Sequence, residues 1–302
     1  MKTTRIISAL LVIACCVSIQ RTTSAAAPKS NVLPSAKEVN DRGSKLLMLD
    51  MMAERQFAKD HPGVLPSSKL RLPAVTAKSF DWCNLNKVSE AHTQRNEDCW
   101  ANAATEALEC SNLIRNDRRL ILSPQPILDH LKLGAKEISG QSAGAFDFFM
   151  KTGTARLASY AYTGEPAQPA ATVLPYRAVA WGWVSHSENT STVEELKAAL
   201  LKHGPLAVSL ITTRKFHEYK GGLQDEPNPA SPKATANAKD PKDRNGGHAV
   251  LLVGWDDTRG PHGAWKIKNS WGTSWGEQGF MWLTYESNDI GMRACWVRAQ
   301  SR

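Results

Sequence analysis

The chain has 302 residues, 42% of them hydrophobic and 22% charged, which excludes wholesale disorder and fibrous repeats. Its net charge of +8 includes Lys2, Arg5 and Arg21, which lie in a leading segment without acids. No Lys/Arg run interleaved with aromatics follows, so nucleic acid is not an expected partner.

Residues 1–26 read as a signal peptide. Lys2 and Arg5 precede an apolar stretch from Ile6 to Ile19, too short to span a bilayer comfortably, and Ser24-Ala25-Ala26-Ala27 offers small residues for cleavage. A second reading is a lipobox, Val12-Ile13-Ala14-Cys15, with lipid on Cys15. Both readings make the protein secreted or otherwise extracytoplasmic, the periplasm included. Residues 27–78 form a lead-in, a propeptide or an N-terminal extension. Within it Lys37 to Lys59 is expected as a helix, ended by Asp60-His61-Pro62-Gly63.

A globular domain is expected over 79–302. The apolar spacing of Trp100, Ala103, Ala104, Ala107, Leu108, Leu113 and Ile114 predicts a buried helix over 98–116, with Asn96 and Asp98 as cap candidates. A second helix is predicted over 143–152, and a third over 192–203, opened by a Thr192/Glu195 capping box and closed by Gly204-Pro205. The pattern then changes. Leu206 to Ile211, His248 to Trp255, Ala264 to Lys268 and Gly279 to Tyr285 read as strands. Helices first and strands after predict an α+β protein, a helical lobe beside a β lobe. Residues 224–245 are polar and rich in Pro, Ala and Lys, and are expected as a mobile insertion.

Of six cysteines, Cys15 and Cys16 fall in the leading segment. If one of Cys83, Cys99, Cys110 and Cys295 is a reactive thiol, at most one bridge remains among the rest. Cys99 stands out because it opens a helix, whose positive end favours a thiolate. His248 begins a core strand and offers a general base. Asn269 ends a strand inside Lys268-Asn-Ser-Trp-Gly272, where its side-chain oxygen can accept the His248 Nδ1 proton. CxxC, HExxH and Gly-rich phosphate loops do not occur, so neither a metal nor a cofactor is expected.

The order Cys, His, Asn within these blocks resembles the papain-like cysteine peptidase family. The anchors run from Asp81-Trp82 through Gln94, Cys99-Trp100-Ala101, Leu122-Ser-Pro-Gln125, Gly204-Pro205, Tyr219-Lys-Gly-Gly222 and Gly247-His248-Ala-Val to the Asn-Ser-Trp-Gly block. The resemblance implies a two-lobed fold, a helical lobe and a β-barrel-like lobe with the active-site cleft between them. It implies Cys99 as nucleophile, ion-paired with His248; Asn269 as the residue orienting His248; and Gln94 with the Cys99 backbone N–H as oxyanion donors. Trp271 would shield the His–Asn pair. Gly140-Gln141 would hold substrate backbone, with Ala143, Gly246, Gly247 and Ala249 lining a roomy apolar pocket. Implied partners are peptide or protein substrates and protein inhibitors, for a monomeric enzyme.

Departures from the family pattern are specific. Gln94 is five positions before Cys99 rather than six, and the loop between them is Arg95-Asn-Glu-Asp98 without the usual Cys-Gly pair. His130 and Ile138 stand where bridging cysteines are usual. Gln141 replaces a glycine. Two rival functions keep the same residues: a catalytically silent binding protein, and another Cys–His acyltransferase.

Overall fold

The computed structural model describes residues 70–131, 140–185, 190–240 and 243–301. The leading segment with Cys15 and Cys16, the helix expected over 37–59 and Ile138 lie outside the described residues.

The first long element is α1, Cys99–Asn116. Its residues are buried continuously from Trp100 to Leu113. Four of them, Ala101, Ala103, Ala104 and Ala107, are alanines, which keep the helix surface thin where a sheet lies against it. The helix starts one residue later than the spacing predicts. Asp98 is the N-cap but makes no capping bond. Its carboxylate accepts from the Tyr162 hydroxyl at 2.5 Å instead. The short helix α2, Gln125–His130, and α3, Ser142–Lys151, follow, and α1 packs on α3.

Helix α4, Val193–His203, starts at the Thr192 cap. The Thr192 hydroxyl accepts from the Glu195 backbone N–H, and the Glu195 carboxylate accepts from the Thr192 N–H at 2.9 Å. This is the capping box that the sequence predicts; losing such a cap typically costs about 1 kcal/mol. Two single-turn helices, α5 (Arg214–His217) and α6 (Pro232–Thr235), lie later in the chain.

The strands are β1 Ser79–Asp81, β2 Ala178–Trp183, β3 Leu206–Thr212, β4 Leu223–Gln224, β5 Gly246–Asp256, β6 Ala264–Lys268, β7 Phe280–Thr284 and β8 Met292–Ala299. They form one sheet in the order β2-β8-β3-β5-β6-β7-β4. Strand β5 is its spine: it pairs with β3 along Gly246 to Leu252, with β6 on its other side, and with β1 from Gly254 onward. Its residues His248 to Trp255 are all buried, which suits a run of Ala, Val and Leu covered on both faces. Helix α1 lies against β5, β8 and β3. The start of α1 and the start of β5 therefore converge.

The stretch 224–245, expected as a mobile loop, has local structure where it is described. Ser231 caps α6. The Arg214 guanidinium reaches Asp240 and Asp243, and the Asn245 amide donates to Ala230 O. Short polar side chains thus hold the backbone without a core of their own.

Candidate active site

The site forms where α1, β5 and the turn after β6 meet. Cys99 is the first residue of α1, so its backbone N–H has no intrahelical acceptor. His248 lies on β5, its register set by pairing with Leu210 of β3. Asn269 follows β6 and is fully buried, its backbone N–H donating to Gly279 O at 2.8 Å. A cleft of about 390 Å³ is lined by Cys99, Trp100, Gly140, Gln141, Ala143, Gly247, His248 and Ala249, together with Glu97, Trp183, Met292 and others.

The proton positions follow from hydrogen bonding. Asn269 Oδ1 lies 2.8 Å from the Ser270 backbone N–H and 2.8 Å from His248 Nε2. A backbone N–H only donates, so the Asn269 atom facing it is the oxygen. That oxygen only accepts, so His248 Nε2 carries the hydrogen. His248 Nδ1 is then the basic nitrogen. The sequence reading placed the Asn269 bond at Nδ1; the structure places it at Nε2, because β5 fixes the ring with that edge toward the turn.

An aromatic wall encloses this bond. Trp271 lies against His248 at 4.8 Å, and on its other contacts stacks with His217 at 4.8 Å and meets Phe216 and Trp275 edge-on. Phe216 and His217 belong to α5, and nothing in their sequence surroundings marks them as site residues.

Burial works against each charge separately. It pushes the Cys99 thiol up to about 11, and Glu97 adds to the rise while the Ala249 backbone N–H opposes it. It pushes the His248 imidazole down to about 4. Passing the thiol proton to Nδ1 creates both charges together, and their mutual attraction offsets what burial costs each alone.

Gln94 is held differently from the expected arrangement. Its Nε2 donates to Asn96 O at 2.8 Å, and its Oε1 accepts from the Ser270 hydroxyl at 2.7 Å. It is not among the residues lining the cleft, nor are Gly246 and Trp271. The loop to Cys99 turns back on itself, giving the amide an acceptor within two residues. At Gly140 a Cβ would sit 2.6 Å from the Trp100 ring, so the rim needs glycine there. Cys83, Cys99, Cys110 and Cys295 are all free thiols.

Beneath the site lies a buried ionic cluster that the sequence reading missed. Lys268, next to Asn269, is fully buried and lies 3.3 Å from Glu106 of α1. It also donates to the carbonyls of Ser89 and Glu90. Glu109 accepts from His92 Nε2 at 3.0 Å and from the Leu122 N–H. The His92 N–H donates to Glu106 at 2.9 Å. The helix carrying Cys99, the strand leading to Asn269 and the segment leading to Gln94 are thus tied at one point. Glu106 and Glu109, seven and ten places after Cys99 in a helix otherwise rich in alanine and leucine, are the signal that could have shown it.

The model of the papain family of cysteine proteases matches residues 76–300. Cathepsin R of Mus musculus is 29% identical over 72% of this chain and 63% of its own length. A viral cathepsin of Spodoptera litura multicapsid nucleopolyhedrovirus is 31% identical over 72% of this chain and 60% of its own. The chain thus spans about three fifths of these curated relatives. Among solved structures, bromelain of Ananas comosus superposes with a TM-score of 0.62 over 74% of this chain and 99% of that one, at 24% identity. Digestive procathepsin L 3 of Tenebrio molitor gives 0.61 over 78% and 73%, at 24% identity. A fold shared with these enzymes and a family match across the whole described domain lead to one conclusion: the chain belongs to the papain family of cysteine proteases.

Proposed function

We infer that the protein is an extracytoplasmic peptidase that cleaves peptide bonds through a thioester on Cys99. The observation that carries this reading is the Asn269 Oδ1 bond to His248 Nε2, which leaves a basic Nδ1 on a residue sharing a cleft with the Cys99 thiol. The Cys99 proton passes to Nδ1, and the thiolate attacks the substrate carbonyl carbon. The C=O electrons move onto oxygen, to which the Cys99 backbone N–H would donate. Collapse expels the amine, which takes the proton from His248. Water then adds to the thioester with His248 as base, releasing the acid and restoring the thiol. Gly140, Gln141, Ala143, Gly247 and Ala249, which line the cleft, would form the peptide-binding rim. Digestion of a peptide library by the wild type but not by Cys99→Ala is the expected result. Equal digestion by both would refute the reading.

Gln94 is proposed as the second oxyanion donor, its amide leaving Asn96 when substrate binds. Gln94→Ala should lower kcat by about 10²- to 10³-fold, the usual effect of removing one donor. An unchanged kcat means that the amide stays on Asn96 O.

A silent binding protein is the reading that this occupied amide favours. A thiolate-directed epoxide separates the two: the peptidase is labelled at Cys99, and a silent protein is not.

The 224–245 stretch is proposed to tune access. Pro232 of α6 lines the cleft and the stretch ends two residues before Gly247. Replacing it with a short Gly/Ser turn should change KM for long peptides more than for a dipeptide amide. Identical ratios would show that it is a passive insertion.

A further inference from the structure

We propose that Glu97 selects a lysine or arginine side chain flanking the scissile bond, a specificity that rests on the peptidase reading above. Glu97 lies two positions before the nucleophile and is the acid among the described residues lining the cleft; the other charged lining residue, Arg293, belongs to β8. It is exposed, and its carboxylate makes no hydrogen bond or ion pair among the described residues. Its position is defined from two sides. Its charge acts on Cys99, where it raises the thiol, and on His217, which stacks on Trp271 of the aromatic wall. Glu97 thus lines the cleft two positions from the nucleophile, near enough for its charge to act on Cys99 and on His217.

A bare negative charge there works against the chemistry. Burial, Glu97 and Asp98 all disfavour the Cys99 thiolate, while the Ala249 and Trp100 backbone N–H groups favour it. His248, on β5, and Arg293, on β8, are the other charged or titratable side chains lining the cleft with Glu97 and Cys99. A cationic substrate side chain seated on Glu97 offsets one of the opposing terms. The same contact then binds the substrate and eases thiolate formation, so it acts in kcat as well as in KM. Gly140, Gln141 and Ser142, which line the same cleft, carry no charge.

The test uses peptides that carry lysine, norleucine or glutamate on the acyl side of the bond, and a second set varied on the amine side. With wild type, lysine should exceed norleucine by about tenfold in kcat/KM on one of the two sides, the scale of one charge-assisted hydrogen bond. The advantage should shrink as salt rises to 0.5 M. In Glu97→Gln the ratio should fall close to one, and in Glu97→Lys glutamate should overtake lysine. The midpoint of Cys99 alkylation by iodoacetamide should move to lower pH in Glu97→Gln. The same peptides are titrated onto Cys99→Ala to measure Kd, with the same lysine preference expected. This arm keeps selectivity separate from catalysis: no turnover with lysine-selective binding removes the peptidase reading and keeps the cation site. Equal affinity for lysine and norleucine, or a preference that survives in Glu97→Gln, overturns the proposal.

Discussion

Cys99→Ser is expected to abolish turnover, with kcat falling on the order of 10⁶-fold, the scale on which losing the nucleophile of a concerted catalytic unit acts. Serine keeps the shape but not the acidity, and its proton would have to pass to an imidazole that burial already holds down at about 4. Cys110 provides the comparison. It is fully buried beside the Ser89 hydroxyl at 3.8 Å and faces no cleft. Cys110→Ser should cost stability and leave the chemistry in place. Steady-state kinetics of both variants, with circular dichroism to confirm folding, checks this. Equal loss of turnover in two folded variants would remove Cys99 from its role.

Lys268→Met should destabilise the protein by about 3–5 kcal/mol, because it leaves Glu106 buried without its cation. Burial opposes the Lys268 charge, but Glu106, together with Cys110 and Glu109, outweighs it and holds the ammonium above its usual range. The double variant Lys268→Met/Glu106→Gln should recover part of the loss. Urea unfolding measures both; a loss under about 1 kcal/mol in Lys268→Met would show the cluster to be well hydrated rather than buried.

The same cluster gives a pH dependence. Burial lowers the His92 value, yet Glu109 wins and His92 is held above its ordinary 6.5. Its contribution is complete below pH 6.5 and is lost as pH rises through the folded value. Glu109 is held below its ordinary 4.5: burial raises it, and His92 more than reverses the rise. That contribution, which Lys268 and the Leu122 N–H share with His92, is present above 4.5 and is lost as pH falls through the lowered value. The His92–Glu109 pair's contribution to stability should therefore be greatest between about pH 4.5 and 6.5 and decline toward alkaline pH. His92→Gln should flatten the alkaline decline in urea titrations; an unchanged slope would assign the dependence to other groups.

The longer helices α1, α3 and α4 were legible because their signals are local: apolar positions at helical spacing in α1, a capping box at α4, Gly204-Pro205 at its end; the short α2, α5 and α6 were not. The spine strand and its neighbours were legible as short apolar runs. Strands β2 and β8 were not. Strand β2 is half-exposed at a sheet edge and carries Gly182 between two tryptophans, and β8 interrupts its alternation with arginines. Both are made strands by pairing with each other, a long-range fact. At the site, residue types were readable but directions were not. Which nitrogen of His248 meets Asn269, and where the Gln94 amide points, depend on β5 register and on a loop one residue short. Glu97 read as an ordinary acid in that loop until the cleft placed it beside Cys99.

The most direct measurement is intact-protein mass spectrometry of acid-quenched wild type during turnover of a slowly cleaved peptide ester. The account predicts an acyl group added to the protein and mapped to Cys99, absent in Cys99→Ala. It also predicts a slower-forming adduct in His248→Ala. Hydrolysis of the ester with no adduct on Cys99, or with the acyl group mapped to another residue, would contradict it.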